Sequence, residues 1–331
     1  MNRRTLLCTP AALIIIIMAL LGTAKVRAQP AAPLLRGETC SLDGLLEQIR
    51  KGMSGKSEAY RRYLRNLLRE SAVNLPAPQL RAAFAKETHP VLLEHLAAAL
   101  VAQTERGADD SGMQTVAQRA LAERDTASRA AVVRALRRTS ALENTGELYE
   151  KLVRDPSPEV RREAAQNIIE DNRFVYSGHH GPAADAAVRA AVAAQDLRVT
   201  AQILGNVSTE AVSHGAVESI LELLQSEEAD VRKAAAVALG GVPAVESAAA
   251  RAALLRRYGE DSDANVRKSI LQGLAQLGFA HAVPELARLR DMESNPGVKR
   301  EADQWIEVLR LGLPEWSLIL REKQRRDQTS G

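Results

Sequence analysis

Apolar residues return along this chain with the spacing of a buried helix face. Three stretches show it most clearly: DPSPEVRREAAQNII at 155–169, EEADVRKAAAVAL at 227–239 and DSDANVRKSILQGL at 261–274. When they are aligned on the valine of each Val-Arg pair, positions 0, +4 and +8 are apolar and lie on one side of a helix. The alignment extends to eight segments that begin at 60, 92, 128, 160, 199, 231, 266 and 298, and only Ser128 among the 24 aligned positions is not apolar.

A second apolar helix is predicted between successive segments, for example at 147–155, 216–225 and 282–291. Each unit is therefore a helix, a turn and a helix. Neither helix can bury its apolar stripe alone, so adjacent units must stack. The low aromatic content, 3% against 46% hydrophobic residues, is typical of close-packed helices rather than sheets. The sequence predicts an all-α solenoid of about eight helix pairs.

The repeated unit resembles the HEAT-repeat family, in particular the short HEAT-like repeats named after phycobilisome lyases. The resemblance is carried by the acid before the second helix, the Val-Arg pairs and the ends of the Ala/Leu runs: Asp155, Asp261, Val160-Arg161, Val231-Arg232, Val266-Arg267, Gly240 and Gly278. It covers residues 55–312 and implies a right-handed superhelix that serves as a binding surface.

The first 28 residues are predicted to be a secretory signal peptide. They have a basic start, a short apolar run and small residues before a cleavage site after Ala28, with Ala24 as the alternative site. The prediction is an exported bacterial protein, periplasmic or secreted. Both the Sec and the twin-arginine export routes stay open, as does retention of the segment as an anchor. Removing four basic residues and no acid changes the formal charge from +3 to −1, which argues against nucleic acid as a partner.

The remaining chain is expected to divide into three parts. Residues 29–54 form a leader and a first helix, 55–312 the solenoid, and 313–331 a cap and a tail. Trp316 is expected to cover the last apolar layer, and residues 321–331 to form a frayed, solvated tail. Cys40 is the only cysteine after export, either free or paired with another chain.

Position +1 of the second helices is often arginine beside the core. Such an arginine can hydrogen-bond the acid or the turn carbonyls of a neighbouring layer. We expect a structural ladder from four arginines and two acids: Arg129, Arg161, Arg232, Arg267, Asp155 and Asp261.

Position +2 points away from the core, about 160° around the helix from the apolar stripe. It carries a basic residue in five of the eight units: Arg62, Arg162, Lys233, Lys268 and Arg300. In the family that the repeat resembles, the second helices line the concave face. The hypothesis is a concave basic track that binds an acidic partner; an ordinary solvated helix face is the alternative.

One interval, from 160 to 199, is 39 residues long and therefore contains an insertion. The extra residues fall in EDNRFVYSGHHGPAAD at 170–185, where we expect a projecting loop that contributes to binding. Its candidate contact residues are Phe174, Tyr176, His179 and His180. Adjacent histidines rarely point at one ion, so no metal site is predicted.

No motif of a catalytic site is present: the chain has no Gly-rich phosphate loop, no GxSxG, no HExxH and no CxxCH. The predicted function is a non-catalytic scaffold in the cell envelope that binds another protein and needs no cofactor. One alternative is a HEAT-like enzyme or cofactor-handling protein of the lyase or metal-hydroxylase type, although the His-Glu pairs of the hydroxylase are absent. The other is a module that docks to anionic lipid or polysaccharide.

Overall fold

The computed structural model describes residues 42–53 and 57–329. The predicted signal peptide and Cys40 therefore lie outside the described residues. The chain divides into two compact units, 1–45 and 46–331, and of the first only the opening turn of α1 (Leu42–Met53) is described. The described residues contain α-helices, a π-helical turn and a 3₁₀ turn, and no strand. Within these residues no helix is long and apolar enough to cross a membrane.

The second unit contains two layers of helices. The second-helix layer consists of α2 (Glu58–Ala72), α4 (Pro90–Glu105), α6 (Thr126–Arg134), α9 (Pro158–Glu170), α11 (Leu197–Leu204), α13 (Ala229–Gly240), α15 (Ala264–Gly278) and α17 (Pro296–Leu309). Each of these helices packs on the next one, and each contains positions 0 and +4 of one aligned segment, although α6 ends before Leu136 and α11 before Val207. The prediction of an all-α solenoid is confirmed.

The first-helix layer lies behind it. Its members are α3 (Ala77–Lys86), α5 (Gly112–Ala122), α7 (Ala141–Asn144), α8 (Leu148–Leu152), α10 (Gly181–Ala193), α12 (His214–Leu223), α14 (Ser247–Glu260) and α16 (Val283–Met292). Apart from α7, which packs on α10, these helices pack on the second helices of their own repeats, as α14 does on α15 and α16 on α17. The apolar stripes of both layers therefore meet in one continuous core.

The aligned positions form that core. All of them are buried except Tyr60, which is 39% exposed, and Val207, which is partly exposed. Tyr60 lies in the first turn of α2, where the second-helix layer begins, and Val207 lies beyond Leu204, the last residue of α11. Ser128 is buried and its hydroxyl donates to the Thr88 carbonyl at 3.3 Å, which satisfies the one polar group in the set.

Side-chain caps mark the start of five of the eight second helices. Asp263 accepts hydrogen bonds from the N–H groups of Asn265 and Val266 at the start of α15, and Asn295 accepts from Gly297 and Val298 at the start of α17. Asp125 does the same at α6. These caps satisfy amide groups that the first turn of a helix leaves free, and they set each helix in register with its neighbour.

Helices α13 and α15 approach each other through small residues. A Cβ atom on Gly273 would lie 2.4 Å from the Ala236 carbonyl oxygen, and one on Gly240 would lie 2.8 Å from the Gly273 Cα. A side chain cannot fit between these two backbones. The pair of glycines therefore determines how closely the layers stack at this point.

The last described residues form a helix rather than a tail. The predicted frayed tail does not hold for residues 321–329, which belong to α18 (Trp316–Thr329). The reason is packing against α17: Ile319 is buried, Lys323 forms an ion pair with Glu301 at 3.0 Å, and its Nζ lies 5.1 Å from the Trp305 ring centroid. A basic residue in the predicted tail is thus held by an acid and an aromatic ring.

Candidate functional site

The candidate site is the face of the second-helix layer formed by positions +2, +6 and +9 of each helix, which we call the open face. These positions point away from the apolar stripe at 0, +4 and +8. Stacking of α9, α11, α13, α15 and α17 brings the open faces of successive repeats side by side.

The arginines at +1 lie beside this face and hold the layers together. Arg232 is 8% exposed and Asp261 is 5% exposed. Arg232 donates from Nε to Asp261 Oδ2 at 2.7 Å and from Nη2 to Oδ1 at 3.2 Å. Its Nη1 donates to the carbonyls of Ser226 and Glu227, at 2.9 and 2.7 Å. One guanidinium therefore closes the turn of its own repeat and binds the acid of the following repeat.

The same two-sided arrangement occurs in four repeats. Each arginine donates to the turn before its own helix and to the acid of the next turn: Arg129 to the Glu123 and Arg124 carbonyls and to Asp155, Arg161 to the Asp155 and Pro156 carbonyls and to Asp196, Arg232 as above, and Arg267 to the Asp261 carbonyl and to Glu293. This arginine ladder uses charged side chains for stacking, so its members are not free to bind a partner.

Hydrogen bonds lower the pKa values of two acids of the arginine ladder. Burial would raise the pKa of Asp261, but hydrogen bonds from Arg232, from the Asp263 N–H and from Arg257 outweigh it and lower the pKa of this carboxyl below its ordinary value. Glu293 follows the same pattern: burial opposes the shift, and bonds from the Asn295 N–H and from Tyr258 lower its pKa. Both acids are therefore held as carboxylates.

The basic residues at +2 differ in how far they are neutralised. Arg162 and Arg300 are exposed and form no ion pair with any described residue. Lys233 forms an ion pair with Asp230 at 2.5 Å. Lys268 is partly buried and lies near α17, where a Cβ on Gly297 would be 3.7 Å from its Nζ. Stacking of α9 to α17 brings these four residues onto one face.

Arg62 is separated from these four. The repeats between them carry Glu94 and the buried Ala130 at +2. Arg65 and, at longer range, Arg62 lower the pKa of Glu58 on the same helix, so Arg62 has an acid close by. The predicted track therefore does not run without interruption from the first repeat.

An ion-pair network occupies the open face of the earlier repeats. Arg134 binds Glu94 at 3.1 Å and Glu163 at 3.3 Å, and Arg137 also binds Glu163. Arg138 binds Glu170 at 2.6 Å. Each arginine of this network is paired with an acid, whereas Arg162, Lys268 and Arg300 have no ion-pair partner among the described residues.

The insertion after α9 does not project as a loop. Residues 171–175 continue α9 as a π-helical turn, a form often found where an extra residue enters a helix. Asn172 then holds the segment against the following repeat, since its Oδ1 accepts from the Ser208 N–H at 2.7 Å. The expectation of a loop is wrong for residues 171–175, because buried polar contacts of Asp171 and Asn172 tie them to both neighbouring repeats, whereas residues 176–180 form a short non-helical turn.

The four candidate contact residues of the insertion are spread around it. Phe174 is 62% exposed, with the Arg138 guanidinium 5.1 Å from its ring centroid. Tyr176 stacks on His180 at 5.1 Å and donates to the Ser140 carbonyl at 3.1 Å. His180 binds Glu143 at 2.9 Å, and His179 binds Glu210 at 3.0 Å. Both histidines thus join the insertion to acids of adjacent repeats.

Asp171 is the buried acid of the insertion. It accepts hydrogen bonds from the Arg138 and Thr139 N–H groups at 2.7 and 3.2 Å, and the Tyr149 hydroxyl lies 3.4 Å away. These contacts brace a turn in which Arg138 has a φ of 58°. Burial raises the pKa of Asp171 to about 8, against the opposing effect of those hydrogen bonds.

Two adjoining cavities lie along the open face of the later repeats. One, of about 310 Å³, is lined among others by Arg173, Asn206, Gln272, Trp316 and Leu320. The other, of about 250 Å³, is lined by Ser247 and Phe279. Glu210, Gly241, Gln276 and Trp316 line both cavities. Together they form what we call the C-terminal groove.

Matches to a family model described as HEAT repeats cover residues 183–275 and 217–307. Residues 183–307 of this chain are HEAT repeats. No curated protein matches it.

Solved structures that match this chain come from several sources. The archaeal HEAT-like repeats protein from Thermococcus onnurineus NA1 is 15% identical, with 71% of this chain and 97% of that chain covered and a TM-score of 0.47. An Escherichia coli protein, YibA, is 14% identical, with 79% and 92% covered and a TM-score of 0.39. An engineered protein is 15% identical, with 80% and 78% covered and a TM-score of 0.39.

Several acids that close the turns before the second helices were missed from the sequence although they have a regular position. An acid stands five residues before the aligned position in five repeats, and in each its carboxylate accepts the N–H of the capping residue: Glu87, Glu123, Asp155, Asp261 and Glu293. This spacing would have identified Glu87, Glu123 and Glu293. The C-terminal groove has no comparable signal, because its walls come from outside the repeats.

The open face offers several kinds of binding group. It provides free cations, amide groups and one aromatic wall. Over the residues that the structure covers, no cluster of three or more His, Cys, Asp or Glu residues is placed to hold a metal ion.

Proposed function

We propose that this HEAT-repeat protein is a non-catalytic interaction scaffold in the cell envelope. It binds an acidic segment of another protein on the concave, open face of its later repeats. One observation carries the proposal: Arg162, Arg173, Lys268 and Arg300 lie on this face and form no ion pair with any residue in the described part of the chain.

The contrast with the rest of the protein supports this assignment. Four arginines at +1 are committed to the ladder, and each arginine of the network around Arg134 is paired with an acid. Several unpaired cations on one face raise the local potential and speed the encounter with an acidic partner. HEAT repeats are common protein-interaction modules, which agrees with a binding role for the exposed face of the stack.

The envelope location is proposed from residues 1–28. Its test is the N-terminal sequence of the protein purified from cells, together with fractionation. We expect the chain to begin at Gln29 and to appear in the periplasm or the medium. A chain that keeps Met1 and stays in the cytoplasm would contradict this part of the proposal.

In-cell cross-linking followed by mass spectrometry tests the binding face. The inner variant combines Arg162→Glu, Lys268→Glu and Arg300→Glu; Lys233 is left unchanged because Asp230 already neutralises it. The matched outer variant lies on the first-helix layer and combines Lys86→Glu, Arg256→Glu and Arg288→Glu, which are exposed and equally unpaired within the described chain. Both variants change the formal charge by the same amount, and circular dichroism confirms that each is folded.

We expect a neighbour protein that cross-links to the wild type and to the outer variant and is lost from the inner variant. Loss from both variants, or from neither, would contradict the proposed face. Binding to anionic lipid vesicles by the wild type and the outer variant, but not by the inner variant, would assign the face to a membrane surface instead.

A further inference from the structure

Two departures from the HEAT repeat meet at the C-terminal groove. Arg173 comes from the insertion after α9, and Trp316 and Leu320 come from α18, which follows the last repeat. Between them, α13 and α15 supply the floor with Val237, Ala238 and Gln272. A groove that exists only because of these two additions is a specific feature of this chain.

The wall formed by α18 is held rigidly. Trp316 stacks on the buried Trp305 with ring centroids 5.3 Å apart, and Phe279 meets it edge-on at 6.2 Å. Phe279 has a φ of 47°, a backbone conformation that costs free energy in a residue with a side chain. That conformation ends α15 and turns the Phe279 ring toward α18. Trp316 itself stays partly exposed and faces both cavities.

The floor and the far wall are polar. Gln272 and Gln276 make no hydrogen bond with any of the described residues, so each can offer one acceptor and two donors. Arg173 is exposed and unpaired among the same residues. The groove therefore has a cation at one end, free amides along its floor and an aromatic wall beside them.

We propose that the C-terminal groove binds an extended segment of the partner protein in which an acidic residue stands close to an apolar one. The acid pairs with Arg173, the main chain hydrogen-bonds to Gln272 and Gln276, and the apolar side chain lies against Trp316 and Leu320. This inference rests on the proposed function, because it gives the partner of the open face a chemistry and a conformation.

The polarity of the groove favours an extended segment over a helix. A helix pairs its own main-chain N–H and C=O groups, whereas an extended chain leaves them free, and these are the groups that the side chains of Gln272 and Gln276 can satisfy.

The test uses a display library of random 12-residue peptides selected on the folded, full-length exported protein. Enriched peptides are synthesised with a fluorophore, and their affinity is measured by polarisation. The groove variants are Arg173→Glu and the double change Gln272→Ala with Gln276→Ala. The controls are Arg256→Glu, which reverses an exposed arginine on α14, and Gln324→Ala, which removes an exposed amide on the solvent side of α18.

We expect enriched peptides to carry Asp or Glu within a few residues of an apolar side chain. Arg173→Glu should weaken their binding at least tenfold, and replacing the peptide acid by lysine should restore binding to that variant. The glutamine variant should weaken binding several-fold, and both controls should stay within twofold of the wild type.

The contradicting outcomes separate the two proposals. Peptides whose binding depends on Arg162, Lys268 and Arg300 but not on the groove variants would overturn the groove assignment and leave the scaffold proposal intact. Peptides that bind the first-helix layer instead of the open face would overturn both the groove assignment and the scaffold proposal. A selection that enriches no acidic peptide would also overturn the groove assignment.

Discussion

Replacing Arg232 by alanine tests whether the arginine ladder holds successive repeats together. The substitution removes two hydrogen bonds to Asp261 and leaves the Ser226 and Glu227 carbonyls without their donor. Asp261 would remain buried with Arg257, 2.8 Å away, as its remaining cation. Removing one partner of a buried ion pair costs about 3–5 kcal/mol, and the retained Arg257 places the expected loss near the lower end, about 3 kcal/mol.

The pH dependence gives this prediction a second readout. The pKa of Asp261 is lowered in the folded state, so its ionised carboxylate stabilises the fold at pH values above the ordinary carboxyl pKa of 3.8. This stabilisation is lost as the pH falls below 3.8 and Asp261 becomes protonated. Arg232→Ala removes the main cation responsible. The difference in unfolding free energy between wild type and variant should therefore be largest near neutral pH and narrow toward pH 3.

The assay is urea unfolding followed by circular dichroism at pH 7 and at pH 3, with hydrogen exchange to locate the effect in α13 and α15. Exchange is needed because repeat proteins can unfold in parts rather than in one step. Arg256→Ala on α14 is the control and should cost less than about 0.5 kcal/mol. A loss below 1 kcal/mol, or an equal loss in the control, would refute the structural role of the ladder.

Three further predictions concern single positions. Gly273→Ala places a Cβ 2.4 Å from the Ala236 carbonyl and should cost about 2–3 kcal/mol in urea unfolding, whereas Gly259→Ala, in open space on α14, should cost nothing measurable. Trp316→Ala should raise amide exchange in α18 and leave α15 protected; equal loss of protection in both helices would contradict a local role. Because the pKa of Asp171 is raised to about 8, the free energy of unfolding of the wild type should fall as the pH rises from 4 to 8, by up to about 1.4 kcal/mol per pH unit. Asp171→Asn should flatten this slope, and parallel pH profiles would show that Asp171 does not titrate there.

The repeat was predictable from the sequence because its energetics are local and periodic. Positions 0, +4 and +8 must be apolar in every layer, so the spacing alone identified the second helices and their buried residues. The spacing was less informative about exposed positions in the pattern. It does not show that Tyr60 lies at the start of the stack, where it is exposed, or that α11 ends before Val207.

The site was less predictable because it depends on contacts between distant parts of the chain. Sequence spacing identified the basic positions, but only the structure shows that Lys233 is paired with Asp230 and that Arg162 is not. The insertion was found from its length, yet its π-helical turn follows from buried contacts such as that of Asn172 with the next repeat. The fold-back of Trp316 onto Trp305 has no signal in the repeat at all.

The most direct test of the binding face is site-specific photo-cross-linking in living cells. A photoreactive amino acid is placed at position 268 on the open face or at position 288 on the first-helix layer, and adducts are compared after irradiation. The account predicts a partner adduct at position 268 and none at position 288. An adduct at position 288 with none at position 268 would show that the partner binds the opposite side of the HEAT-repeat stack.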